Sequence, residues 1–267
     1  MIPQFTVEKL RNPKKRVRKI IKSLFTLAVW FFVIGIIIFL SYFIYLQRTI
    51  PDPETLISRK VGESTKIYDS TGTVLLYDIH GEEKRTIIPW ENITDYVKWA
   101  TLASEDSDFY KHRGVDFNGI ARAFLKNLME GSISQGGSTI TQQLVKKALL
   151  GDERASTFRL VTRKIKEIIL TVEIERKYSK DELFWMYLNQ IPYGSNAYGI
   201  EAASKTFFDK PAKDLTLNEA VLLTSLPKAP TFYSPYGSHV EELLIRKNNN
   251  LTRMFDLGYI TQEQLNQ

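Results

Sequence analysis

The 267-residue chain contains no cysteine, so nothing in it is held by a disulfide, no redox compartment can be read from thiols, and whatever folds must do so on its core alone. It also lacks repeats and low-complexity runs. Excess positive charge is missing from most of its length. Eight basic residues (Lys9, Arg11, Lys14, Lys15, Arg16, Arg18, Lys19 and Lys22) and one acid, Glu8, sit in the first 22 positions, which accounts for the formal net charge of +6. The remaining 28 basic and 29 acidic residues nearly cancel, so bulk basicity gives no case for a nucleic-acid partner.

Charge is absent altogether from "SLFTLAVWFFVIGIIIFLSYFIYL", Ser23 to Leu46. As a helix this run would be roughly 36 Å long, against a hydrocarbon core of about 30 Å, so it can span a bilayer with some tilt. Basic residues crowd its N-terminal side, and Asp52 and Glu54 lie beyond its other end. The positive-inside rule then puts the N-terminus in the cytoplasm and everything after Leu46 outside. The run is too long for a signal peptide and no small-x-small cleavage site comes after it.

The composition, 43% apolar, suffices for one solid domain with an appendage. The organisation expected is a basic tail over 1–22, a transmembrane helix over 23–46, a proline-containing linker over 47–65, and a domain over 66–267 that continues into a longer protein. "KIYDSTGTVLLYDI" reads as a hairpin turning at Asp69 to Gly72 and packing on the membrane side of the helical region. From Asp95 onward the pattern is helical. "DYVKWATLASE" ends at Glu105; "DFNGIARAFLKNLMEG" has Asp116 as N-cap and apolar Phe117, Ile120, Ala121, Phe124, Leu125 and Leu128 at helical spacing. "TFRLVTRKIKEIILTVEIERKY" runs without Gly or Pro. Ser179 and Thr216 open capping boxes, and Thr261 with Gln264 has the same spacing. The fold class expected is mainly α with a small β-hairpin, behind one N-terminal transmembrane helix.

Four segments carry chemistry. In "EDSDFYKHRG", Glu105 to Gly114, a carboxylate at a helix end can project into a cleft as a general acid or base, although alone the stretch reads as a solvated corner with Phe109 in the core. In "GSISQGGSTITQQLVKKALLG", Ser138 or Thr139 can cap a helix whose free N–H groups suit an anion. Thr139, Gln143 and Lys146 share one helical face, suited to a sugar or a phosphate, or simply exposed. In "TRKIKEI", Arg163 and Glu167 are four apart with Lys164 beside them, either a surface ion pair or charge that a ligand completes. In "YLNQIPYG", spacing alone gives Asn189 as a local cap and Pro192 to Gly194 as a turn. "SLPK" at Ser225 has the Ser-x-x-Lys form of a transpeptidase, yet the chain has no Lys-Thr-Gly, so Ser225 reads as a helix end with no acylation role.

Together with "YGIEAASKTFFDK" and "LPKAPTFYSP", these segments resemble the peptidoglycan glycosyltransferases, glycosyltransferase family 51, as found in the N-terminal part of class A penicillin-binding proteins. The resemblance covers about Lys66 to Gln267 and also the N-terminal anchor. It departs at "RKNNNLTRM", where the family's pattern has two arginines before Val-Leu and this chain has Arg246, Lys247 and then Asn250 before Leu251.

The resemblance implies a lysozyme-like domain that polymerises lipid II into β-1,4 glycan by inverting transfer, releasing undecaprenyl pyrophosphate. It implies that Glu105 is the base, with Asp106, Phe109 and His112 orienting it and shaping the cleft. Lys146, Arg163 and Lys164 would face the pyrophosphate, with Glu167 as second essential carboxylate organising them or holding a divalent cation, Mg²⁺ or Mn²⁺. Gln135, Ser138, Thr139, Gln142, Gln143 and Asn189 fall in the binding motifs. No organic cofactor is implied. Implied partners are lipid II, the growing glycan, the membrane, phosphoglycolipid inhibitors of moenomycin type and other cell wall synthesis proteins. A lysozyme-like hydrolase would share the fold but would not need a cationic pyrophosphate site; a non-catalytic scaffold would tolerate loss of both acids.

Overall fold

The computed structural model describes residues 13–50, 65–71, 75–79, 84–130, 137–150 and 157–266. It divides into two units, residues 1–50 and 51–267. The first carries α1, Pro13–Arg48, which takes in the whole uncharged run. Among the described residues this is the one helix long and apolar enough to cross a membrane, and its large side chains, Phe31 and Phe32 among them, are exposed all round. A helix apolar on every side has no polar face to give to water.

The second unit is mainly helical. The expected hairpin forms from β1, Thr65–Tyr68, and β2, Leu75–Ile79, paired antiparallel. A second small sheet was not expected: β3, Lys84–Arg85, runs parallel to β5, Ala197–Tyr198, which pairs antiparallel with β4, Pro192–Gly194. So Pro192 to Gly194 is a strand and not the turn that its Pro and Gly suggested. The chain reverses immediately after it, where Ser195 and Asn196 both take positive φ, 50° and 57°. Consecutive left-handed residues match the twist of a tight hairpin, and Asn adopts that region readily.

The helices are α2 Asp95–Glu105, α3 Phe117–Glu130, α4 Ile140–Val145 continuing as a π turn over Lys146–Leu150, α5 Thr157–Lys177, α6 Lys180–Gln190, α7 Ile200–Phe208, α8 Leu217–Ser225, α9 Val240–Asp256 and α10 Gln262–Leu265. The capping boxes at Ser179, Thr216 and Thr261 all form, because each needs only residues three apart. Asp116 accepts the Gly119 N–H at 2.8 Å, opening α3 as expected. The apolar stripe of α3, however, faces outward: Phe117 is 77% and Leu128 69% exposed, and Ile120 and Leu125 are exposed too. Helical spacing shows that a stripe exists; it does not show what covers it.

Two packed regions fix the elements that matter. In the first, Ala100 and Ala103 of α2 meet Leu217 and Val221 of α8 and Leu251 and Met254 of α9, with Trp99 stacked on Tyr259 at 6.1 Å. This clamps the helix that ends at Glu105. In the second, α6 is tied to the chain before α2: Asn189 Oδ1 accepts the Ile88 N–H at 3.0 Å, its Nδ2 donates to Ile88 O and Trp185 O, and Trp185 Nε1 donates to Ile88 O at 2.8 Å. Asn189 also lies against Gly199, whose φ is +81° and whose added Cβ would sit 2.4 Å from Asn189 O. Gly199→Ala should therefore destabilise the protein by about 3 kcal/mol or more, through clash and backbone strain together. A melting temperature equal to wild type would refute this.

Candidate active site

Glu105 is the last residue of α2 and is mostly withdrawn from solvent. Its two oxygens are held by side chains 38 and 141 residues further along the chain. Gln143 Nε2 of α4 donates to Oε2 at 2.7 Å, and Arg246 Nη2 of α9 donates to Oε1 at 3.0 Å. Tyr187 donates in turn to Gln143 Oε1 at 3.4 Å, which orients the amide. A carboxylate offers about four lone-pair sites, so about two stay open to a substrate hydroxyl.

Two buried phenols border this carboxylate. Burial, and then the Glu105 charge, push the hydroxyls of Tyr187 and Tyr193 well above the ordinary tyrosine value of 10.0. Both remain proton donors, and the Tyr193 hydroxyl has no hydrogen-bond partner among the described residues. Lys228, in the loop after α8, is exposed along part of its length, yet its ammonium is pushed down from the lysine value of 10.5 by partial desolvation and then by the Arg246 charge, with Glu105 acting the other way. Its backbone neighbour Pro227 is fixed by Lys147, whose Nζ donates to Pro227 O at 2.8 Å.

The depressed Lys228 ammonium ties the protein's stability to pH. Between its lowered value and 10.5 the unfolded chain holds a proton that the folded chain has released, so this group adds stability as pH rises through that window. Lys228→Met should abolish that increment, so that wild type gains on the variant as pH climbs toward 10.5. Parallel melting curves across that range would exclude it.

Asp106, expected to support Glu105, does so indirectly. Its carboxylate accepts the Ile140 N–H at 3.1 Å and faces His112 Nε2 at 3.0 Å, so it pins the start of α4, the helix that carries Gln143. Phe109 is fully buried against Phe184 and His112, with Lys180 Nζ 4.3 Å above its ring. It supports the cleft floor and cannot touch a ligand. Thr139 is the N-cap of α4 and donates to Gly114 O at 2.5 Å, while Gln142 closes the capping box by accepting the Thr139 N–H at 3.2 Å. Both are buried and shape α4, with Gln142 Nε2 left without a hydrogen-bond partner among the described residues. Asn189, likewise, is a buried clasp with its amide occupied. Thr139, Gln142 and Asn189 fall within binding motifs whose shape depends on them, and polar residue type alone cannot separate the two roles. Gln135 lies outside the described residues.

Of the three expected cations, Arg163 and Lys164 lie on α5 and Lys146 on the π turn after α4. Lys164 makes an ion pair with Glu167 and donates to Ser138 Oγ at 3.2 Å. Glu167 is nearly buried and Lys164 is 45% exposed, so the carboxylate anchors an ammonium that reaches outward. Arg163 and Lys146 are partly exposed. The π turn beginning at Lys146 widens the helix where it leaves α4, a distortion often found at functional sites.

Residues 72–255 match a family model described as Transglycosylase. The chain belongs to the transglycosylase family. The resemblance to glycosyltransferase family 51 that the motifs carried is thereby borne out. Penicillin-binding protein 1A of Aquifex aeolicus is 41% identical over 247 residues, 92% of this chain and 32% of that protein. Penicillin-binding protein 1A of Escherichia coli is 39% identical over 249 residues, 93% of this chain and 28% of the other. Penicillin-binding protein 1F of Bacillus subtilis is 40% identical over 223 residues, 83% and 29% respectively. The chain thus spans less than a third of the length of these relatives.

Where the chain departs from its family's pattern, the residues present are engaged in hydrogen bonds of their own. Asn250 is buried, and its Nδ2 donates to Ser225 Oγ at 2.9 Å. Ser225 Oγ donates to Val221 O at 2.7 Å, so it is both buried and fully engaged. That agrees with Ser225 having no nucleophilic role, despite the Ser-x-x-Lys spacing. Arg246 Nε donates to Ser225 O at 3.0 Å, so the same short stretch also orients the guanidinium that holds Glu105.

Arg246 and Lys228 do not stand out as site residues in the sequence. Arg246 is visible there only as part of a motif that departs from pattern, and Lys228 only as one residue of "LPKAP". Their partner lies more than a hundred residues upstream, and no local periodicity connects them. As for a metal, no three His, Asp or Glu side chains gather among the described residues, and the Glu167 carboxylate is taken by Lys164.

Proposed function

We propose that this chain is a membrane-anchored peptidoglycan glycosyltransferase that polymerises lipid II. The observation that carries this reading is the Glu105 carboxylate, held by Gln143 and Arg246 with lone pairs to spare, in a domain whose α5 presents Lys164 on a buried Glu167. Glu105 removes the proton from the 4-hydroxyl of the acceptor's GlcNAc as that oxygen attacks the anomeric carbon of the donor's MurNAc. The bond from that carbon to the pyrophosphate oxygen breaks, and undecaprenyl pyrophosphate leaves with the electron pair. Attack from the opposite face gives the β-1,4 link.

A pyrophosphate leaving group needs positive charge more than it needs a proton. Lys146, Arg163 and Lys164 supply that charge, the guanidinium suiting two phosphate oxygens at once. A divalent cation would share the same neutralising task through the substrate phosphates, but it could use Glu167 only by displacing Lys164 from it. The helix α1 confines enzyme and lipid-linked substrate to one surface, which raises the effective concentration of each for the other. With the basic residues near its N-terminus on the cytoplasmic side, the catalytic unit lies on the outer face.

The test is to supply lipid II in detergent to the purified chain and, separately, finished peptidoglycan. Glycan made from the first with no fragments released from the second is the expected result. Release of muropeptides without polymerisation would make the protein a hydrolase.

A further inference from the structure

The segment between Lys228 and α9 is rich in rings that the mechanism above does not use. Phe232 stacks on His239, centroids 4.0 Å apart and planes 28° from parallel, and meets Tyr233 edge-on at 5.0 Å. Phe232 is nevertheless 42% exposed, and Tyr236, stacked on Phe207 at 5.8 Å, is 72% exposed. Polar groups border the rings: Ser238 Oγ lies 3.2 Å from His239 Nδ1, and Ser234 Oγ accepts the Tyr236 N–H at 3.3 Å. The cluster is continuous with the site, since Arg246, which holds Glu105, lies over the Tyr233 ring at 5.6 Å.

We infer that Phe232 and His239 form a saccharide platform for the growing glycan strand, remote from the bond being made. This rests on the polymerase reading above. An exposed ring held by its neighbours presents a flat apolar face without further loss of freedom on binding, which preorganises it for a rigid ligand. The faces of aromatic rings carry partial negative charge and attract the partially positive C–H bonds on a pyranose face, while flanking hydroxyls and imidazole suit sugar hydroxyls. The platform is separated from Glu105 by two side chains, Arg246 and Tyr233. A single disaccharide with its 4-hydroxyl at Glu105 runs back toward its own pyrophosphate. Only a strand already several sugars long has residues to place this far out.

The platform predicts that the protein binds a lipid-free GlcNAc–MurNAc octasaccharide and that Phe232→Ala weakens this about tenfold, the scale of one lost aromatic contact. His239→Ala should weaken it less, and Phe232→Tyr should restore it. With lipid II, Phe232→Ala should shorten the glycan more than it slows initial consumption of substrate, and Phe232→Tyr should restore its length. Equal octasaccharide affinity in wild type and Phe232→Ala, or no binding in either, overturns the platform. A protein that binds the octasaccharide through Phe232 yet makes no glycan from lipid II would keep the platform and remove the polymerase reading instead. One that polymerises lipid II to the same length in wild type and Phe232→Ala removes the platform alone.

Discussion

Glu105→Gln should lower the rate of glycan synthesis from lipid II by about 10²- to 10⁴-fold, the usual contribution of a positioned general base. The substitution is nearly isosteric, and α2 is held by Trp99, Ala100 and Ala103, well away from the carboxylate. The helix end should stay where it is, so the loss should appear in turnover far more than in melting temperature. Gln can still accept one hydrogen bond through its oxygen, but its amide cannot take a proton from the attacking hydroxyl. A variant that retained a tenth of wild-type turnover would remove Glu105 from the role of base. Lys228 gives an independent readout: without the Glu105 charge, burial and Arg246 act on it unopposed, and its ammonium should titrate lower still.

The second large effect belongs to Arg246. Its guanidinium makes two directed contacts, to Glu105 Oε1 and to Ser225 O, both at 3.0 Å, with the Glu105 and Arg246 side chains only 9% and 16% exposed. Arg246→Leu leaves a largely buried carboxylate with one donor and an unmet carbonyl, which should cost about 3 kcal/mol, as breaking a buried pair on one side does. Activity should fall with it, by about 10²-fold, because a carboxylate held on one side loses the geometry that proton transfer needs. Arg246→Lys separates the two effects. An ammonium restores the charge but not the fork, so it can serve Glu105 or Ser225 and not both. Stability should recover in large part while turnover does not. Full activity in Arg246→Lys would mean that charge alone is required.

How much of the fold and site is legible in the chain depends on the range of each interaction. Helix caps at Ser179, Thr216 and Thr261 and the end of α2 at Glu105 need only near neighbours, and all four stand where spacing puts them. The uncharged run before Arg48 is a helix for the same reason. The resemblance supplies Glu105 and Glu167, which spacing alone would leave as a corner and an ion pair. What spacing cannot supply is direction. Phe117 and Leu128 follow a helical stripe and face outward; Thr139 and Gln142 look like ligand contacts and are spent on a cap; Asn189 looks like a cap and spans 101 residues to reach Ile88. Composition places the turn near β4 on Pro and Gly, whereas Ser195 and Asn196 make it by adopting positive φ.

The bond between Glu105 and Arg246 crosses 141 residues. Because chains emerge from the N-terminus and fold as they do so, α1 is available to seek a bilayer long before α9 exists. Throughout that interval the base has been made but its second holder has not. The emerging chain therefore carries α1 well before the site is whole, and the site is completed only when nearly all of the described domain has been synthesised. A chain stopped anywhere before Arg246 carries α1 and Glu105 but lacks the guanidinium that completes the carboxylate's setting.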